Sequence, residues 1–219
     1  MNILVISPHP DDETLGAGGT ILRYVDEGNN VFWLNVTNMM PEYGFDDEIV
    51  ERRLGEIAKV KSALGIKKLF DLKLKPASLD NYPKSEIIQK MKEVFEEVRP
   101  EIVILPYMHD AHSDHKVVFD AAYACTKSFR APYIQKILCM EIISETNYSN
   151  PEFEFKPNYY VDISNYIDKK IEIASIYSSE ISLPPFPRSI EAIRSLSVYR
   201  GSSCSKCAAE SFMLIKEIL

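Results

Sequence analysis

Cysteine, histidine and basic charge are all scarce in this sequence, and each scarcity removes a class of protein. Four cysteines in 219 residues cannot supply a disulfide framework for a chain of this length. Cys204 and Cys207 form a CxxC, but no second cysteine pair or neighbouring histidine completes the four ligands of a structural zinc site. They are therefore read as small, buried side chains beside a C-terminal element. Lys and Arg number 25 against 32 Asp and Glu, a net charge of −7. A general phosphate-backbone binder collects cations to release counterions, so nucleic acid is excluded as a partner and a small molecule is expected. No run reaches the ~18 consecutive apolar residues of a membrane helix. The N-terminus has no basic segment, and His9, Asp11, Asp12 and Glu13 interrupt its apolar stretch. Neither a secretory leader nor a membrane span is expected, and a cytoplasmic location follows.

What remains is the composition of an ordinary globular protein, 46% hydrophobic and 26% charged, read as one domain over residues 1–219. NILVI (2–6), VFWLNVT (31–37), KLFDLKL (68–74) and EIVILPY (101–107) are short runs rich in β-branched and aromatic residues, and they predict strands. Helical patterns separate them: Thr14 to Glu27 before Gly28, Asp47 to Leu64 before Gly65, and Lys84 to Val98 before Pro100. Strands alternating with helices predict a Rossmann-like α/β fold with a doubly wound, mostly parallel sheet. Further on, helices are expected over His115–Lys127, Ser164–Ser178 and Ile190–Tyr199, and strands over Ile137–Ile143 and Tyr159–Asp162. ISLPPFPRS (181–189) reads as a surface loop and RGSSC (200–204) as a turn.

In such sheets ligands bind beyond the carboxyl ends of the strands. SPHPDDETLGAGGT (7–20) follows the first predicted strand, and MHDAHSDHK (108–116) follows the fourth. Between them these segments hold all four histidines, His9, His109, His112 and His115, so adjacent first and fourth strands would bring the imidazoles together. Adjacent aspartates repel unless a cation offsets them. Neighbours in a turning segment point to different sides, so one of Asp11 and Asp12 can ligate while the other takes a proton from water, as a metal-assisted hydrolase requires. Gly16, Gly18 and Gly19 do not give GxGxxG, and the acids before them would repel a pyrophosphate. They are read instead as letting a helix approach the sheet closely. Trp33 and several tyrosines, Tyr107 among them, could stack on a sugar or belong to the core.

HPDDE at 9–13, HxDH at 112–115, Arg53 and Glu56 leading into LG at 64–65, and RGSSC with AAESF near the C-terminus together resemble the LmbE-like (PIG-L) N-deacetylases. These are zinc-dependent enzymes that remove acetyl groups from N-acetylglucosamine-containing molecules. The resemblance implies His9, Asp12 and His115 as ligands of zinc, another divalent metal being left open. It implies Asp11 as general base and His112 as the residue steadying the oxyanion, held by Asp114 or Asp110. It implies that Arg53 contacts substrate. Glu13 is expected to cap the helix or brace a histidine, and His109 to sit at the rim. Ser205 and Cys207 depart from the family pattern, which often has glycine and an aromatic there.

The expected activity is hydrolysis of the acetamide of an N-acetylglucosamine-type sugar, in a small molecule, nucleotide sugar or glycan precursor. Two other readings stay open at this point. One is an amidase acting on a thiol conjugate; the other is a sugar- or nucleotide-binding module with a structural metal, whose coordination would be closed. Assembly as a homo-oligomer is also open.

Overall fold

A computed structural model describes all residues 1–219. The four N-terminal runs form strands β1 (Asn2–Ser7), β2 (Asn30–Thr37), β3 (Lys68–Leu74) and β4 (Ile102–Leu105). Helices α1 (Asp12–Asp26), α2 (Asp47–Ala63) and α3 (Lys84–Val98) separate them. The chain continues through α4 (Ser113–Cys125), β5 (Lys136–Met140), β6 (Tyr159–Asp162), α5 (Ile167–Ala174), α6 (Ile190–Ser202) and β7 (Ala209–Glu217). The seven strands make one sheet in the order β3-β2-β1-β4-β5-β7-β6. The first five are parallel and β7 is antiparallel to both neighbours. No helix is long and apolar enough to cross a membrane.

The alternation of side chains along β1 explains the two-sided winding. Ile3 and Val5 join a core with Leu15 and Ile21 of α1, Ile57 and Val60 of α2, and Ile171 of α5. Leu4 and Ile6 face the opposite core, with Ile87 and Met91 of α3 and Val118 and Phe119 of α4. Because β1 pairs with β2 on one side and β4 on the other, the chain reverses its winding at β1/β4. That crevice is where a doubly wound sheet takes its ligand.

The glycines of α1 serve close packing. A Cβ on Gly16 would lie 2.8 Å from Met140 Sδ, and one on Gly19 would lie 2.8 Å from three side-chain atoms of Ile163. A buried ion pair secures the same helix. Lys170 Nζ donates to Glu210 Oε1 at 2.7 Å and to the Leu15 carbonyl at 2.8 Å, while Glu210 accepts the N–H groups of Gly19 and Thr20. α1 is thereby tied along its length to α5 and β7.

Two expectations for the C-terminal region are corrected, and one strand is added. RGSSC is a turn only in its last two residues, Ser203 and Cys204: α6 runs through Arg200 and Gly201 to Ser202, with Arg200 paired to Glu141 and Ser189 Oγ capping its start. Cys207 is exposed and Cys204 only partly covered, so the CxxC is not a buried pair. Residues 209–217 form β7, which the sequence did not announce because its run ESFMLIKE has no clean alternation. It is half-covered beyond Phe212 and takes its conformation from pairing with β5 and β6.

Candidate active site

β1 ends at Ser7, and Pro8, His9 and Pro10 carry the chain to Asp11, which precedes α1. β4 ends at Leu105, and the chain reaches α4 through His109, Asp110 and His112. Since β1 and β4 are hydrogen-bonded neighbours, the two segments meet. The rings of His9, His112 and His115 lie 4.6 to 5.7 Å apart, centre to centre. His109 does not join them: it stacks on Phe153 at 4.3 Å and lines no part of the cavity. Three imidazoles converge, not four.

Asp12 is the hub. Its Oδ2 lies 3.3 Å from His9 Nδ1 and 3.3 Å from His115 Nε2, and accepts the His9 backbone N–H at 2.9 Å. Burial disfavours its charge, yet the two imidazoles hold its carboxyl well below the usual carboxylate range. Burial likewise pulls the histidines down, but Asp12 and Asp110 outweigh it at His115, held up at about 10. Asp114 and Asp12 do the same at His9, held up at about 9. A divalent cation entering among these three side chains would displace those protons.

Two groups of side chains have ligand atoms within 4.8 Å of one another: His9, Asp12 and His115, and His9, His112 and Asp114. Their hydrogen bonds differ. In the second, His112 Nδ1 accepts the Asp114 N–H at 3.1 Å, and the Asp114 carboxylate accepts the N–H groups of Ala77 and Leu79. In the first, His115 Nε2 is buried without any hydrogen-bond partner. Its other nitrogen is held by Asp110 at 2.8 Å, and Asp110 in turn by Thr146. A buried imidazole oriented by a carboxylate through Nδ1, with Nε2 left over, suits a metal ligand. The His2Asp donor set fits a divalent cation of the zinc type.

Asp11 is buried and stands outside that group. Its backbone adopts φ +145°, a conformation that costs an L-residue about 1–3 kcal/mol. Burial and the neighbouring Asp12 push its carboxyl well above the ordinary range, and Arg188, whose Nη1 donates to Oδ2 at 2.7 Å, pulls it back. The result is a carboxyl group of raised basicity beside the His9, Asp12 and His115 cluster. His112 is pushed down by burial and by His9. With Nδ1 accepting from Asp114, the neutral ring carries its proton on Nε2. Neither the Asp114 nor the Asp110 carboxylate hydrogen-bonds His112: Asp114 serves it through the backbone and contacts His9 Nε2 at 3.2 Å, while Asp110 serves His115.

His9, Asp11, Asp12 and His112 open onto a cavity of about 230 Å³, whose wall also includes Asn38, Met39, Arg53, Glu145, Glu180 and Arg188, while His115 is buried behind it. Arg53 is buried, and its guanidinium reaches the Pro10 carbonyl, Ser179 and Glu180, with Glu56 at 3.6 Å. Trp33 and the candidate tyrosines line none of it; Trp33 is wholly buried and donates to Ser7 Oγ. Arg188 and Glu180 were not anticipated. They come from the stretch 179–188, whose prolines indicate a loop but not where it leads. The capping Ser189 beside Arg188 was the one local signal that this end of the loop is fixed.

A His2Asp set and a separate buried carboxylate, placed at the carboxyl ends of a parallel sheet, define a metal-dependent hydrolase of the α/β type. Residues 4–126 match the PIG-L family, described as GlcNAc-PI de-N-acetylase, and the chain belongs to that family. It is similar to a diacetylchitobiose deacetylase of Thermococcus kodakarensis, 26% identical over 99% of this chain and 84% of the relative. It is also similar to a probable N-acetyl-alpha-D-glucosaminyl L-malate deacetylase 2 of Bacillus anthracis, 24% identical over 83% of this chain and 82% of the relative. Among solved structures, a conserved protein of Thermus thermophilus superposes with a TM-score of 0.80 at 26% identity, over 99% of this chain and 96% of that one.

Proposed function

We propose that the chain is a zinc-dependent N-deacetylase acting on the acetamide of an N-acetylglucosamine-type sugar carried in a small molecule. The observation that carries this reading is His115 Nε2, buried without an aligned hydrogen bond and 3.3 Å from Asp12 Oδ2, in a cluster with His9. The names of the relatives, deacetylases of diacetylchitobiose and of a glucosaminyl malate, support the substrate class.

His9, Asp12 and His115 hold the cation, and Asp110 fixes the His115 ring through Nδ1. When bound, the cation supplies a Lewis acid for the acetamide carbonyl and lowers the pKa of a water toward ~7. Asp11 takes the proton of the attacking water, its charge maintained by Arg188. His112 donates through Nε2–H to the carbonyl oxygen as negative charge builds there. Asp11 then passes its proton to the leaving nitrogen, so one amide and one water become acetate and a free amino sugar. Asp114 acts on His9 and His112 rather than on substrate, and Arg53 forms the cavity wall against which the sugar lies. Residues 1–219 act as one domain in this reading.

The test is acetate release from N,N′-diacetylchitobiose and N-acetylglucosaminyl malate, with added zinc and with a chelator. Zinc-dependent release, with the amino sugar identified by mass, is expected. Equal release in chelator, or no acetate from either substrate with zinc present, contradicts the proposal.

A further inference from the structure

Asp11 holds a backbone conformation that L-residues rarely adopt while its carboxylate lines the cavity and accepts from Arg188. Its own side chain makes no capping hydrogen bond to α1. The restraint comes from Glu13. Glu13 Oε2 accepts the Asp11 backbone N–H at 3.1 Å, and Oε1 accepts the hydroxyls of Thr14 at 2.6 Å and Tyr177 at 2.9 Å. Glu13 is wholly buried and lines no part of the cavity. It therefore touches neither substrate nor cation site, yet it is bonded to the residue between them. Tyr177, itself buried, follows α5, and the Arg53 guanidinium lies over its ring at 5.4 Å from the centre. A chain of contacts thus runs from the cavity wall through Tyr177 and Glu13 to the Asp11 amide.

We infer that Glu13, anchored by Tyr177, is a positioning residue that clamps the Asp11 backbone at positive φ and so aims the Asp11 carboxylate into the cavity. This rests on the reading of Asp11 as the base. The rival account is electrostatic: a negative charge in the first turn of a helix is favourable wherever it points. Reach separates the two. Glutamine keeps the reach without the charge, since its carbonyl can accept the Asp11 N–H while its NH₂ donates to the two hydroxyl oxygens. Aspartate keeps the charge but, one methylene shorter, cannot span from the Asp11 amide to Tyr177.

The experiment compares Glu13→Gln and Glu13→Asp by kcat, KM, zinc content and hydrogen exchange of the residue-11 amide. Glu13→Gln is expected within about threefold of wild-type kcat, and Glu13→Asp roughly a hundredfold below it, as a misplacement near 1 Å produces. KM and zinc content should be unchanged in both. The amide should be protected in the wild type and in Glu13→Gln and exchange fast in Glu13→Asp. Glu13→Gln as slow as Glu13→Asp assigns the effect to charge and overturns the clamp, as does Glu13→Asp with wild-type turnover and a protected amide. Asp11→Asn, measured alongside, separates the two claims: wild-type turnover there defeats the base reading, while the exchange data still decide the clamp.

Discussion

Arg188 and Asp11, 177 residues apart in the chain, meet at 2.7 Å through Nη1 and Oδ2. The contact joins the end of the proline-rich loop to the mouth of the first strand. It places a fixed positive charge on the residue assigned as base.

That pairing fixes the sign of a pH effect. Burial and Asp12 raise the Asp11 carboxyl, and Arg188 lowers it. A base works deprotonated, so activity is lost as pH falls through its pKa. Arg188→Met removes the lowering influence, so the acidic limb of the kcat/KM profile should move to higher pH, with roughly a tenfold loss on that limb for each pH unit moved. A limb that stays put or moves to lower pH would show that Arg188 does not govern the base.

Arg53 is as much a structural tie as a wall residue. Its guanidinium is buried among Pro10, Ser179, Glu180 and Glu56. Arg53→Leu leaves Glu56 without a cation and loosens Glu180, which retains Arg188 at 3.3 Å. Breaking a buried pair by removing one partner costs about 3–5 kcal/mol. Urea denaturation should show a loss of that order together with a raised KM. An unchanged midpoint would mean that the ties contribute nothing net.

The glycines of α1 differ in what surrounds them. Gly19→Ala would press at 2.8 Å on three atoms of one β-branched isoleucine, including its Cβ, whereas Gly16→Ala meets Met140 Sδ and Cγ at 2.8 and 2.9 Å, which can swing aside, and Ile142 Cγ1 only at 3.0 Å. Overpacking a filled core costs about 1–3 kcal/mol, and Gly19→Ala should fall at the upper end with Gly16→Ala below it. The reverse order in thermal denaturation would contradict the packing account.

Both groups able to hold a metal lie at the active site, and neither contains a cysteine. The double variant Cys204→Ser, Cys207→Ser should retain its full zinc content and turnover. Loss of one equivalent of zinc would reveal a second site at the CxxC.

The reach of sequence reasoning differed between local and distant features. β1, β4 and the helices after them follow from local patterns, and the two histidine-bearing segments sit at strand ends that a parallel sheet brings together. Neighbouring residues such as His112 and His115 keep their relation in any helical start. Arg188 and Glu180 reach the cavity only because a loop without regular structure folds back over it, which no periodicity encodes. His109 was grouped with the other histidines by proximity in the chain, but Phe153 offers its ring a stacking partner away from the site. β7 depends on partners, β5 and β6, rather than on its own pattern. Glu13 showed its charge in the sequence but not its task, which depends on the hydroxyl of Tyr177 from a distant helix end.

The central claim is tested most directly by stripping the protein with a chelator and titrating zinc back while acetate release is followed, for the wild type and for His115→Ala. One equivalent of zinc should restore full turnover to the wild type, and His115→Ala should neither retain zinc nor recover. Turnover in the stripped protein, or stoichiometric zinc and activity in His115→Ala, would contradict the account.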